Sequence, residues 1–227
     1  MSIKLKNISY SYKHEILKNV SQEFKSGLVT VILGKNGVGK TTFFNLLTNN
    51  LTLKSGEILF SIDDTTSNEL KNNLYGYMSS EFFYYKQLTL KEMCFLVKEL
   101  RELNDSFFGK QYEKYLSLFS LKEYEHKLIG KLSLGTQKRL HLLLTILHNP
   151  SFIFLDEPTS GLDPQQVFVF KKLIKEISSE NKIIILSTHS LELAKELADE
   201  IVILNNATFV NVPVDDNLEN NYLSIVK

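Results

Sequence analysis

The sequence predicts an α/β fold: a buried parallel sheet layered with helices and interrupted by a helical block. Three observations carry this. The last third alternates short apolar strands with helices, "SFIFLD", "PQQVFVFKKLIKEIS", "KIIILST", "LELAKELA" and "EIVIL". Strand and helix alternating at this spacing mean right-handed βαβ units, and near-continuous apolar strands mean burial on both faces. The first third is rich in strand signals, and the stretch from roughly Leu88 to His148 reads as helices.

From the N-terminus, "IKLKNISYSY" sets Ile3, Leu5, Ile8, Tyr10 and Tyr12 near period two, the mark of a half-buried strand. "NVSQEF", "LVTVIL" and "GEILFSI" follow as strands. The helices of the middle are "LTLKEMCFLVKELREL", "GKQYEKYLSLFSL" and "LGTQKRLHLLLTILH". The lone cysteine, Cys94, sits among apolar residues at helical spacing and reads as a buried core thiol. The resulting division is an α/β core with a β subdomain over 1–81 and 149–212, a helical subdomain over 82–148, and a short tail over 213–227. The closing "VPVDDNLENNYLSIVK" carries no legible signal, and no repeat, low-complexity tract or linker is present.

Composition narrows the function. At 227 residues the chain suits one large domain, and 43% hydrophobic with 23% charged residues is ordinary for a globular protein. Lys+Arg and Asp+Glu both number 26, so the basic footprint of a nucleic-acid binder is missing. Runs such as "FIFL" and "IIIL" are strand-sized, far short of the roughly 20 apolar residues that span a bilayer. The N-terminus alternates apolar and polar residues rather than forming a signal-peptide block. One cysteine permits no disulfide within the chain. These features lead to the expectation of a cytoplasmic protein.

"GKNGVGKT", Gly34 to Thr41, matches G-x-x-x-x-G-K-[ST] between an apolar strand and a helical run, the context a P-loop needs. Gly34, Gly37 and Gly39 let the backbone turn its N–H groups around a phosphate. Lys40 sets a positive charge against the outer phosphates, and the Thr41 hydroxyl is a ligand for Mg²⁺. In "SFIFLDEPTSGLD" an apolar strand ends in Asp156 and Glu157. Ligands gather at the carboxyl ends of parallel strands. Asp156 is placed to hold Mg²⁺ through water, which leaves Glu157 to orient and polarise an attacking water. "KIIILSTHS" ends a further strand of the same sheet with Thr188 and His189, so His189 faces the same crevice and can donate to a terminal phosphate. "KLSLGTQKR" at 131–139 reads as a helix start, a second anion-attracting feature.

Taken together, these motifs resemble the nucleotide-binding subunit of ATP-binding cassette (ABC) transporters, from Ile3 to about Val210. "GKNGVGKTT" looks like Walker A, which adds Asn36 and Thr42 to the nucleotide contacts. "FIFLDE" looks like Walker B with the catalytic Glu157, "SGLD" at Ser160–Asp163 like the D-loop, and His189 like the switch histidine. Tyr12 looks like the aromatic that stacks on adenine, with Tyr10 a rival. "LSLGT" looks like the signature motif. The resemblance implies a P-loop NTPase (RecA-like) parallel core with an N-terminal antiparallel β subdomain and an inserted helical subdomain. It also implies head-to-tail pairing with a second copy or a related cassette, in which Ser133 and the Gly135 backbone N–H grip the γ-phosphate held by the other subunit. That explains two anion features in one chain.

Two departures stand out. Leu134 occupies a position where the family has Gly; some drug- and bacteriocin-export branches are similar in carrying an apolar residue there, which points to export. Ser80 stands where the family places a Gln that joins the Mg²⁺ shell and links it to the membrane partner, so Ser80 is a third metal candidate. In "EFFYYKQL", the consecutive rings Phe82, Phe83, Tyr84 and Tyr85 cannot all be buried on one face; they form either a docking patch for the permease or the seam between core and helical block. The implied protein is a Mg²⁺-dependent ATPase that energises a separate polytopic membrane permease, held on the inner face of the cell membrane, with no nucleic-acid partner. The rival readings are a soluble ABC ATPase such as the iron–sulfur assembly type, and a binding-only cassette. The presence of Lys40, Asp156, Glu157 and His189 opposes the latter.

Overall fold

A computed structural model of the chain describes residues 1–81 and 84–226. Its centre is a six-stranded sheet containing β3 (Val29–Leu33), β6 (Tyr75–Met78), β7 (Phe152–Asp156), β8 (Ile183–Thr188), β9 (Glu200–Asn205) and β10 (Thr208–Val212). The spatial order is β10-β9-β3-β8-β7-β6. Every pairing is parallel except β9 with β10. All residues of β3, β7 and β8 are buried, because helices cover one face and a helix with a second sheet covers the other. Alternation sends Val31, Ile153, Leu155 and Leu186 to one core and Ile32, Phe152, Phe154 and Ile185 to the other.

A second, antiparallel sheet is built from β1 (Ser2–Ser11), β2 (Glu15–Lys25), β4 (Ser55–Ile62) and β5 (Thr65–Ser67), in the order β2-β1-β4-β5. Its inward residues Ile3, Leu5, Ile8, Phe24 and Phe60 join the core that holds Phe43 and Phe44 of α1 (Lys40–Leu47). The parallel P-loop core, the N-terminal antiparallel sheet and the inserted helices are the fold class the sequence predicts.

The inserted helices are α2 (Leu90–Leu100), α3 (Asp105–Leu118) and α4 (Leu134–Ile146). α2 opens on a capping box: Glu92 N–H donates to Thr89 Oγ1, and the Glu92 carboxylate accepts from Thr89 N–H. Asn104 caps α3 by accepting from Phe107 N–H. Phe95, Phe108 and Tyr112 form a ring cluster that ties the two helices. Cys94 is fully buried, and that burial pushes its thiol well above the usual range. α4 returns to the core and packs on β6, where Gly76 lies so close to the Thr145 carbonyl that a Cβ would overlap it.

α5 (Pro164–Ser178) follows β7, and α6 (Leu191–Leu197) follows β8. The tail contains α7 (Leu218–Ile225), absent from the sequence reading, as were β5, β6 and β10. All four are short and have mixed polarity; neighbouring elements, not local pattern, hold them. No helix among the described residues is long and apolar enough to cross a membrane.

Candidate functional site: a phosphate cleft at the strand ends

Because β3, β8 and β7 are neighbours in the sheet, the chain segments leaving their carboxyl ends meet. The P-loop leaves β3, Asp156 and Glu157 close β7, and His189 follows β8. Asn36, Gly37, Gly39, Lys40, Thr41, Thr42, Ser80, Asp156 and Glu157 line a cleft of about 270 Å³. Gly39 has φ +117°, where a Cβ would also strike Ile16 Cγ2 at 2.5 Å, so this position of the loop requires glycine.

Lys40 is buried, and its ammonium donates to Gly34 O at 2.8 Å and Lys35 O at 3.3 Å. It also lies 3.3 Å from Glu157 Oε1. Glu157 sits in the left-handed region at φ +50°, a sparsely populated conformation for a non-glycine residue that concentrates at functional sites. Contacts from β8 and α4 hold it there: its N–H donates to Ser187 Oγ at 3.1 Å, and its carbonyl accepts from Lys138 Nζ at 3.3 Å. Its other carboxylate oxygen, Oε2, lies 3.0 Å from His189 Nδ1.

Asp156 is buried, and its carboxylate accepts from Thr41 Oγ1 and Ser187 Oγ, each at 2.5 Å. Among the described residues it has no ion pair. A buried carboxylate satisfied only by hydroxyls, with a threonine oxygen against it, is a hard-oxygen donor set that suits Mg²⁺. Ser80 is exposed at the rim of the same cleft. Its neighbour Ser79 instead donates to Glu81 O.

The remaining predicted residues lie elsewhere. Ser133 is the N-cap of α4, its Oγ accepting from Thr136 N–H at 3.2 Å. Ser133 and Gly135 do not line the phosphate cleft; Gly135 lies beside Gln166 and the Gly161 carbonyl of the Ser160–Asp163 loop. Leu134 projects outward at 80% exposure. Tyr12, one residue past β1, is 58% exposed, whereas Tyr10 is buried at 9%, and their rings meet edge-on at 5.1 Å. Asp163 caps α5, with Pro164 at its first turn. Of the aromatic run, Phe82 and Phe83 lie outside the described residues. Tyr84 is half-buried at the seam, its hydroxyl donating to Gln137 Oε1, while Tyr85 is exposed.

Sequence reasoning missed Ser187 and Lys138. Ser187 donates to Asp156 and accepts from Glu157, so one hydroxyl registers both acids. A hydroxyl within the apolar run "IIILST" was the available signal. Lys138 also donates to Ser160 O and so joins α4 to the loop that follows β7; nothing local marks it.

Fold and site together define a P-loop nucleotide-binding protein, with its phosphate cradle, acid pair and histidine at one edge of a parallel sheet. Residues 17–160 match the family model described as "ABC transporter". The chain is 30% identical over 210 residues to the uncharacterized ABC transporter ATP-binding protein MJ1023 of Methanocaldococcus jannaschii, covering 92% of this chain and 76% of that one. It is 28% identical over 219 residues to the lantibiotic transport ATP-binding protein SrtF of Streptococcus pyogenes, covering 96% and 93%. Its fold matches the dimeric structure of MJ0796, a bacterial ABC transporter cassette, with a TM-score of 0.82 at 24% identity, over 94% of this chain and 99% of that one. The chain belongs to the ABC transporter family, as an ATP-binding subunit.

Proposed function

We propose that this subunit hydrolyses ATP with Mg²⁺ and drives a separate membrane permease, in the direction of export. The observation that carries the hydrolysis reading is the convergence of Lys40, Asp156, Glu157 and His189 where β3, β7 and β8 end. The P-loop N–H groups and Lys40 hold the outer phosphates. Tyr12, the exposed ring of its pair, stacks on adenine. Asn36 and Thr42 flank the phosphates. Glu157 takes the proton of the attacking water, and His189 orients Glu157 through Nδ1, which leaves its other ring nitrogen for the terminal phosphate. Thr41, Asp156 and Ser80 form the metal side of the cleft. These oxygens would hold a magnesium ion, which would supply positive charge against the developing charge on the phosphates.

The subunit works as a head-to-tail pair. Ser133 and the Gly135 N–H lie outside their own cleft, which supports their acting on the nucleotide of the other copy. The dimeric form of MJ0796 supports the same reading. Export is favoured by the outward Leu134 and by the lantibiotic transport role in the name of SrtF. The pair sits on the inner face of the cell membrane through its permease, with exposed Tyr85 as part of the contact.

The test is direct. Lys40→Ala should abolish ATP binding in a folded protein, measured by titration calorimetry. The wild-type subunit should co-purify from detergent extracts with a polytopic membrane protein that lacks a cassette. ATP binding by Lys40→Ala equal to wild type would overturn the phosphate assignment.

A further inference from the structure

We infer that Lys35 and Asn205 clamp the end of α7 to the wall of the nucleotide cleft, so that docking of α7 and nucleotide binding reinforce one another. The inference rests on the reading of the P-loop as the nucleotide site.

Lys35 is the second residue of the P-loop, yet its side chain turns away from the cleft. Its Nζ donates to Val226 O at 2.8 Å, at the end of α7. Asn205, the last residue of β9, donates through Nδ2 to the adjacent Ile225 O at 2.6 Å. The last carbonyls of a helix have no partners within it and carry its negative dipole end. α7 has Glu219 in its first turn and no basic residue in its last. Lys35 supplies the missing cation from 191 positions away in sequence.

The backbone around this contact is tightly packed. A Cβ on Gly34 would lie 2.9 Å from Leu204 O, so the P-loop entry is pressed against the end of β9. Leu218 and Val226 are buried, which anchors α7 at both ends. The same Lys35 whose side chain holds α7 offers its carbonyl to the Lys40 ammonium. A covalently continuous path of one residue therefore joins the α7 end to the phosphate-binding cation. Lys35 and Asn205 are positioning residues, acting through the P-loop backbone.

A coupling of this kind is reciprocal. Lys35→Met, which removes the charge and keeps the stem, should raise the Kd for ADP about fivefold, the low end of such couplings. KM for ATP should rise with it while kcat is unchanged, and Lys35→Arg should restore both. In the wild type, ADP should slow amide hydrogen exchange at Tyr222–Val226, and Lys35→Met should erase that slowing. Asn205→Ala, which removes the side-chain hydrogen bond to Ile225 O in α7, should shift ADP affinity in the same direction.

ADP bound by the wild type without slower exchange in α7 would overturn the clamp. So would an unchanged Kd in folded Lys35→Met. A Lys35→Met defect with no effect of Asn205→Ala would mean that Lys35 meets the nucleotide directly, which also overturns it. Failure of the wild type itself to bind ADP would instead refute the nucleotide-site reading on which the clamp rests.

Discussion

His189 Nδ1 lies 3.0 Å from Glu157 Oε2, two residues joined across the ends of neighbouring strands. The opposite oxygen of Glu157 faces Lys40 at 3.3 Å. Glu157 is thus held between the Lys40 ammonium and the His189 imidazole. Glu157→Gln should still bind ATP while turnover falls by at least about 100-fold, the usual share of a general base. His189→Ala should lower kcat with little change in ATP affinity. Steady-state kinetics with calorimetry separates the two, and full activity in Glu157→Gln would remove the general-base assignment.

The signature serine should act in trans. Ser133→Arg places bulk where the other copy's γ-phosphate belongs, and Lys40→Ala disables its own cleft. Each homodimer should be inactive. Mixed subunits contain one intact composite site, so ATPase activity should reappear on mixing if one site turns over alone. An ATP-bound dimer with Ser133 remote from every nucleotide would refute the arrangement.

Ser80 lines the cleft together with Thr41 and Asp156, the proposed metal ligands, and carries a short side chain. A Gln reaches two bonds further, each about 1.5 Å, and Mg²⁺ requires oxygens at about 2.0–2.1 Å. Ser80→Gln should increase ATP turnover or lower the Mg²⁺ concentration giving half activity. No change in either, with nucleotide affinity intact, would take position 80 out of the metal shell. Ser79 is already engaged with Glu81 O, which leaves Glu81 as the alternative.

Burial holds His148 neutral, its pKa lowered to about 4, with the Arg101 and Lys182 charges adding to the effect. The ordinary value is 6.5. Between these values the unfolded chain binds the proton and the folded chain does not, so stability falls as pH drops from 6.5 towards 4. The loss from this residue is roughly 3 kcal/mol. His148→Gln keeps a donor for the Tyr75 carbonyl, which His148 Nε2 meets at 2.9 Å. That variant should flatten the slope in urea unfolding measured across this range. His141, lowered to about 3 mainly by burial, adds a slope of the same sign that His148→Gln should leave in place.

The sequence by itself determined the parts whose chemistry is local. The P-loop, the acid pair after "FIFL", the helix start at Ser133 and the strand–helix alternation are written in consecutive residues, because backbone turns, caps and periodicity act over a few positions. Even the meeting of the acids with the P-loop was legible, since parallel strands send their carboxyl ends to one edge. Tertiary structure decided everything that depends on which strands are neighbours. The order β3-β8-β7 brings Ser187 between Asp156 and Glu157, and sets His189 against Glu157 rather than merely facing the same crevice. Burial, not pattern, separated Tyr12 from Tyr10. Short elements such as β6, β10 and α7 lack periodicity of their own and exist because neighbours pair with them or cover them. The contact of Lys35 with Val226 spans most of the chain, and no window of sequence contains both residues.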